Sequence, residues 1–248
     1  MSDTPLPVIR VRPSEMSPHV IVVGDPERAK KVSDYLENPR QLAAWREYHS
    51  YRGEYKGLPV VATSHGVGAA GAAVAFEELI RAGAKTIIRV GTCGSYISNL
   101  RAGALLLPYA ATREDGLTDE LVRPELPAVA DLDVMYTLRE HARQHDTPFA
   151  TGIIRTHAAF YHGMTPNPHQ YWMDAGVIGI EMEYAALLVI ATLRKVRAGG
   201  IFVIDGNPAE AQDMTDYNPH KQVVEDAKGQ AIEIALETLL TLTQAQGD

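Results

Sequence analysis

The chain has 248 residues, 46% hydrophobic and 22% charged, enough to bury a substantial core in one large α/β domain or two small ones. A formal charge of −8 with no Lys/Arg cluster argues against a reader of nucleic-acid backbones, which must neutralise several phosphates. No apolar run approaches the roughly 20 residues of a membrane span, no charged segment leads into a long apolar one at the N-terminus, and a lone Cys93 excludes an internal disulfide, so a soluble, cytoplasmic protein is expected.

In chain order, apolar or β-branched runs predict strands at about 19–23, 59–63, 85–90, 103–108, 149–155, 176–181 and 199–205. Amphipathic stretches predict helices at about 26–37, 69–82, 129–144, 183–195 and 220–244. Alternating residues from Tyr48 to Tyr55 predict a ribbon ahead of the strand that begins near Leu58. Two long loops, 110–127 and 157–175, have the length expected of functional segments. With no repeat, linker or low-complexity tract, the pattern reads as one α/β domain over residues 1–248.

The most informative stretch is Arg89-Val90-Gly91-Thr92-Cys93-Gly94-Ser95, directly after Thr86-Ile87-Ile88. It reads as a buried strand ending in an arginine and a small, hydroxyl-bearing loop that wraps backbone N–H groups around an oxyanion. Val20-Ile21-Val22-Val23 likewise runs into Gly24-Asp25-Pro26-Glu27-Arg28. Asp25 and Pro26 suit a helix N-cap and first position. Arg28, in the first helical turn, opposes the helix dipole, which points to a bound anion beside it. Two strand ends, each with a glycine and an arginine, are read as holding one phosphate from two sides.

Gly66-Val67-Gly68-Ala69-Ala70-Gly71 matches the dinucleotide fingerprint, but the next strand ends at Ile88-Arg89-Val90 without the carboxylate that would hold a ribose. Those glycines are read instead as allowing close strand–helix packing or close ligand approach. Glu181 and Glu183 lie at the junction of an apolar strand and an apolar helix. Two readings stand: a capping carboxylate, for which Glu183 is well placed, and an acceptor for a sugar vicinal diol. Ile201-Phe202-Val203-Ile204 puts Asp205 at the carboxyl end of a buried strand, where open α/β sheets bind ligands. Burial there raises a carboxyl's pKa and fits it for general-acid work, so Asp205 is the candidate catalytic residue. His157, His162 and His169 match no metal spacing and are expected to be solvated loop histidines.

Taken in order, Gly24-Asp25-Pro26-x-Arg28, His65-Gly66-Val67-Gly68, Ile87 to Gly94, Glu181-Met182-Glu183 and Ile204-Asp205-Gly206 resemble the hexameric nucleoside phosphorylase family, from about residue 8 to 240. That family includes purine nucleoside phosphorylases and uridine phosphorylase. The resemblance implies a mixed central β-sheet flanked by helices. It also implies phosphorolysis, in which inorganic phosphate is a co-substrate and no cofactor or metal takes part. It implies a phosphate pocket from Gly24, Arg28, Arg89 and Thr92, completed by Arg46 of a neighbouring subunit. Met182 and Glu183 would hold the ribose, Phe160 would stack on the base, and Cys93 and Gly94 would line the base pocket through backbone atoms. A homohexamer built from dimers is the implied assembly.

An aspartate at 205 and the absence of a Gln-x-Arg pair between Tyr161 and His169 match the purine enzymes, and Arg194 to Ile201 looks most like the protozoan type. A purine nucleoside is therefore the expected substrate, with uridine, as in uridine phosphorylase, the alternative. A non-catalytic nucleoside- or phosphate-binding protein on the same scaffold is the reading from another class. The chain departs from the family at Val8, where a histidine is common, and has no arginine after Asp205, with Asn218 in the region where many bacterial members place one.

Overall fold

The computed structural model describes residues 3–161, 163–165, 168–208, 218 and 220–245. Its first strand, β1 (His19–Val23), carries four consecutive buried β-branched residues, as a strand covered on both faces requires. Helix α1 (Pro26–Ser33) follows, with Pro26 at its start and the Asp25 side chain accepting from the Glu27 N–H at 2.9 Å, the cap read from the sequence. Next come β2 (Glu37–Trp45), β3 (Tyr48–Tyr55), β4 (Leu58–Ser64), the alanine-rich α2 (Ala69–Ala82) and β5 (Thr86–Ser95). The middle of the chain forms β6 (Leu105–Glu114), α3 (Thr118–Leu121), β7 (Ala128–Val129), α4 (Leu132–Ala142) and β8 (Phe149–His157). The last part holds α5 (His169–Asp174), β9 (Val177–Glu181), α6 (Tyr184–Arg194), β10 (Arg197–Gly206) and α7 (Gln222–Gln244).

The ten strands among the described residues form one mixed sheet in the order β10-β6-β8-β9-β5-β1-β4-β3-β2, with β7 on β6. Because β10 also pairs with β5, the strands β5, β9, β8, β6 and β10 close on themselves, and β1, β4, β3 and β2 extend outward from β5. β1 runs parallel to β5 with Val22 opposite Arg89, so the chain leaving β1 at Gly24 passes beside the Arg89 side of β5. β9 meets the far end of β5 from the opposite direction, Gly94 opposite Ile180, and thereby delivers Glu181 back toward Arg89. Helix α6 is apolar nearly all round and buried from Tyr184 to Ala191, each large aliphatic contributing about 1.5–3 kcal/mol by burial. It packs on α2 and against β10 and β6, and no described helix is long and apolar enough to cross a membrane.

Four sequence expectations need correction. Helix α1 stops at Ser33 and not near 37, and Glu37 to Trp45 form an edge strand. That strand is polar and mostly exposed, and its pairing with β3 is bulged twice, so it lacks the apolar alternation that marks a strand. β5 does not end at 90 in a flexible loop but continues through Ser95, paired with β10 as far as Gly94. The stretch 110–127 is not one open loop: β6 runs to Glu114, and the Arg113 guanidinium donates to the carbonyls of Thr118, Val122, Arg123 and Leu126. One arginine thereby satisfies the turn's backbone acceptors. Within 157–175, α5 begins at His169, whose Nδ1 meets the Tyr96 hydroxyl at 2.7 Å, and His157 is buried as the last residue of β8. His157 is therefore not solvated, His169 is half-buried at the start of a helix, and His162 lies outside the described residues.

Candidate active site

Arg89 sits mid-strand in β5, 3% exposed, and its guanidinium is the hub of a buried polar network. Nη2 donates to Glu183 Oε2 at 2.5 Å and lies 3.4 Å from Glu181 Oε2, while Nη1 lies 2.7 Å from His65 Nε2. Nε is buried with no hydrogen-bond partner among the described residues. The plane packs over Phe202 with Cζ 5.3 Å from the ring centroid. Gly91 makes room for this stack: a Cβ there would lie 2.6 Å from Phe202 Cδ1 and 3.3 Å from Arg89 Cζ.

The two carboxylates have different tasks. Glu181 accepts from the Glu183 N–H at 2.8 Å, from the Tyr184 N–H at 2.9 Å and from the Thr156 hydroxyl at 2.5 Å. It caps α6 from two residues further back than the position read from the sequence. Burial pushes its carboxyl above the ordinary 4.5, and the Arg89 cation pulls it back. Glu183 makes no capping bond; its Oε1 accepts from the Gly68 N–H at 2.5 Å and its Oε2 takes Arg89. Gly68 (φ +95°) and Gly66 (φ +75°) adopt a backbone that L side chains rarely occupy, which turns that N–H toward Glu183. The fingerprint-like glycines thus serve a carboxylate, not a dinucleotide.

Arg28 lies half-buried in the first turn of α1, and its side chain has no hydrogen-bonding or ion-pairing partner among the described residues. Burial and then the Arg89 cation hold its pKa below the ordinary value, while the carboxylates of Asp25, Glu225 and Asp205 act in the opposite sense. Gly24, at the end of β1, accepts the Gly66 N–H at 2.9 Å, so the glycine turns after β1 and β4 are stitched together. Asp205 is 6% exposed at the carboxyl end of β10. Its neighbour Ile204 is in register with Cys93, and burial together with the Asp205 charge pushes the buried Cys93 thiol well above its ordinary value. A buried thiol held protonated offers no thiolate to act as a nucleophile. Gly94 is held close by Pro208 and Ile180: a Cβ would approach them to 2.7 and 3.1 Å.

Of the residues read from the sequence, Gly24, Arg28, Arg89, Glu183, Cys93, Gly94 and Asp205 are thus brought together, with Thr92 half-buried on β5 and Met182 between the two glutamates. Arg46 is not among them. It is exposed in the β2–β3 turn (φ 54°), and its side chain bonds to no described residue. Phe160, 42% exposed, follows β8 and meets Tyr161 edge to face at 5.1 Å. Val8 is tied by its backbone N–H to the buried Glu78 carboxylate at 3.0 Å, and Asn218 accepts from the His220 N–H in the turn before α7. Sequence reasoning quoted His65 within the stretch His65-Gly66-Val67-Gly68 but gave it no role in the network.

The family model described as "Phosphorylase superfamily" matches residues 18–240. The purine nucleoside phosphorylase of Plasmodium vivax is 39% identical over 238 residues, 95% of this chain and 96% of that one. The uridine phosphorylase of Thermococcus kodakarensis is 36% identical over 211 residues, 80% of this chain and 76% of its own. The crystal structure of purine nucleoside phosphorylase from Toxoplasma gondii in complex with immucillin-H superposes with a TM-score of 0.92 at 33% identity, covering 99% of this chain and 98% of that one.

Proposed function

This chain belongs to the phosphorylase superfamily and is a nucleoside phosphorylase, and on that premise we propose that it cleaves purine (deoxy)ribonucleosides to free base and (deoxy)ribose 1-phosphate. The observation that carries the phosphate half of this reading is the pair Arg28 and Arg89. Burial and the nearby Arg89 cation hold the Arg28 pKa below its ordinary value, Arg28 has no partner among the described residues, and Arg89 keeps a buried N–H unused. An oxyanion between them relieves both the repulsion and the unsatisfied donor. Gly24 and Thr92 complete that pocket from the ends of β1 and β5.

The chemistry follows from charge. A phosphate oxygen bonds to C1′ as the glycosidic bond breaks and its electron pair leaves with the base. The sugar becomes oxocarbenium-like, so the phosphate dianion and Glu183 face positive charge, and Glu183 also accepts from the ribose diol beside Met182. Asp205 supplies the proton that N7 of the departing purine requires. Cys93, Gly94 and Phe160 form the walls of the base pocket. Fixed charge aimed at developing charge is the largest catalytic contribution in such sites. Arg46, turned outward on its hairpin, serves the phosphate of a neighbouring subunit, which makes a dimer the smallest active unit and a homohexamer of dimers the assembly.

Asp205 and the Plasmodium relative favour a purine, whereas the Thermococcus relative of similar identity keeps uridine as the second reading. The test is base release from inosine, adenosine, guanosine and uridine, each with and without inorganic phosphate. Phosphate-dependent release of a purine is expected. Cleavage of uridine alone would transfer the reading to the pyrimidine, and binding of nucleoside with no release at all would leave a binding protein. Asp205→Asn should lower kcat by about 10²–10⁴ with little change in nucleoside KM, and near-full activity on inosine would remove Asp205 from the role of acid.

A further inference from the structure

We propose that His65 is a positioning residue, a neutral hydrogen-bond acceptor that sets the Arg89 guanidinium for phosphate without adding a further negative charge beside it. The proposal rests on the phosphorolysis reading. His65 is fully buried between the end of β4 and α2, with its backbone N–H on Val23 O at 2.9 Å and its ring edge to face on Phe76 at 5.3 Å. Its ring nitrogens meet Arg89 and the Gly66 carbonyl, so it acts through Arg89.

The tautomer follows from the partners. Every polar hydrogen of arginine is a donor, so Nε2, 2.7 Å from Arg89 Nη1, must accept. The ring proton then sits on Nδ1, 2.9 Å from Gly66 O, to which it donates. Burial and the Arg89 and Arg28 charges keep the ring neutral, well below its ordinary pKa of 6.5.

Electrostatics explain why the acceptor is neutral. Arg89 already faces two carboxylates, Glu183 and Glu181, and a third at position 65 would leave the region without attraction for a dianion. A cation at 65 would offer no lone pair and would repel Arg89. A neutral ring does neither: it holds Nη1, restricts Glu183 to Nη2 and leaves the buried Nε unpartnered among the described residues. Because Nδ1 is tied to Gly66 O and Gly66 N to Gly24 O, one side chain fixes Arg89 and joins it to the glycine turn at the end of β1.

The experiment compares kcat and the separate KM values for phosphate and nucleoside in the wild type, His65→Ala and His65→Gln. His65→Ala should raise the phosphate KM by about 10- to 100-fold, the worth of a hydrogen bond to a charged group, and move the nucleoside KM far less. His65→Gln, which restores a neutral acceptor, should recover most of that loss. An unchanged phosphate KM in His65→Ala, or equal losses in both KM values with no recovery by glutamine, would overturn the proposal. Should His65→Ala fail to fold, neutron diffraction of the wild type decides. Deuterium on Nδ1 alone is expected, and deuterium on Nε2 would overturn the assignment. No base release by the wild type would sink phosphorolysis, whereas deuterium on Nε2 in an active enzyme would sink only the role of His65.

Discussion

Arg89→Met removes the cation from the network while keeping an apolar chain over Phe202. The variant strands Glu183 Oε2, whose partner at 2.5 Å is gone, weakens the hold on Glu181 at 3.4 Å, and leaves His65 Nε2 without its donor. All three side chains are buried, and deleting one member of a buried ion pair costs about 3–5 kcal/mol. A Coulomb figure of about 4 kcal/mol for unit charges 4 Å apart at an effective dielectric constant of about 20 agrees. The deficit should also depend on pH. Arg89 lowers the Glu181 carboxyl, which burial otherwise raises above 4.5, so the variant raises it further. A group whose folded pKa is raised contributes stability that is present below the unfolded pKa and lost as pH rises through the folded one. Loss of the Arg89 charge also lets His65 protonate more readily, which acts in the same direction. Urea unfolding in phosphate-free buffer should therefore show a deficit against wild type of about 3–5 kcal/mol near pH 8. Near pH 5 that deficit should be smaller, because the raised Glu181 carboxyl of the variant is protonated there. A deficit below about 1 kcal/mol, or one constant across that range, would refute the claim that Arg89 holds these carboxylates.

Two further outcomes follow from the geometry. Arg46→Ala should raise the phosphate KM by about tenfold or more while changing stability by no more than about 0.5 kcal/mol, since the side chain is exposed and bonds to no described residue. Phosphate dependence equal to wild type, measured by steady-state kinetics, would remove Arg46 from any site. Gly91→Ala should destabilise by about 1–3 kcal/mol, because its Cβ would sit 2.6 Å from the Phe202 ring, and it should weaken phosphate binding by displacing Arg89. Phe202→Leu in the same chain should recover part of the loss, and an unchanged melting temperature in Gly91→Ala alone would show that the stack has slack.

The parts of the fold legible in the sequence are those whose signals are local. The apolar runs of β1 and β10, the Asp25 cap with Pro26 behind it, and the alanine-rich α2 each declare themselves within a few residues. β2 did not, because a bulged, exposed edge strand has no apolar face to alternate. Nor did the extension of β5 through Gly91 and Gly94. Glycines read locally as loop, and only the approach of Phe202, Ile180 and Pro208 explains why glycine stands inside a strand.

For the site, the sequence alone determined which residue types were at hand: one arginine within a buried strand and one after another, an aspartate at the end of a third, and a pair of glutamates at a strand–helix junction. Their division of labour was decided by tertiary structure. Which glutamate caps α6 and which meets Arg89 depends on β9 arriving antiparallel at β5, across a separation of 94 residues. The same holds for His65, which differs from a solvated histidine because it is fully buried and Arg89 arrives at its Nε2 from 24 residues away. Side-chain chemistry is written locally, but charge state, tautomer and hydrogen-bond partner are set by burial and by neighbours the sheet brings in from other strands.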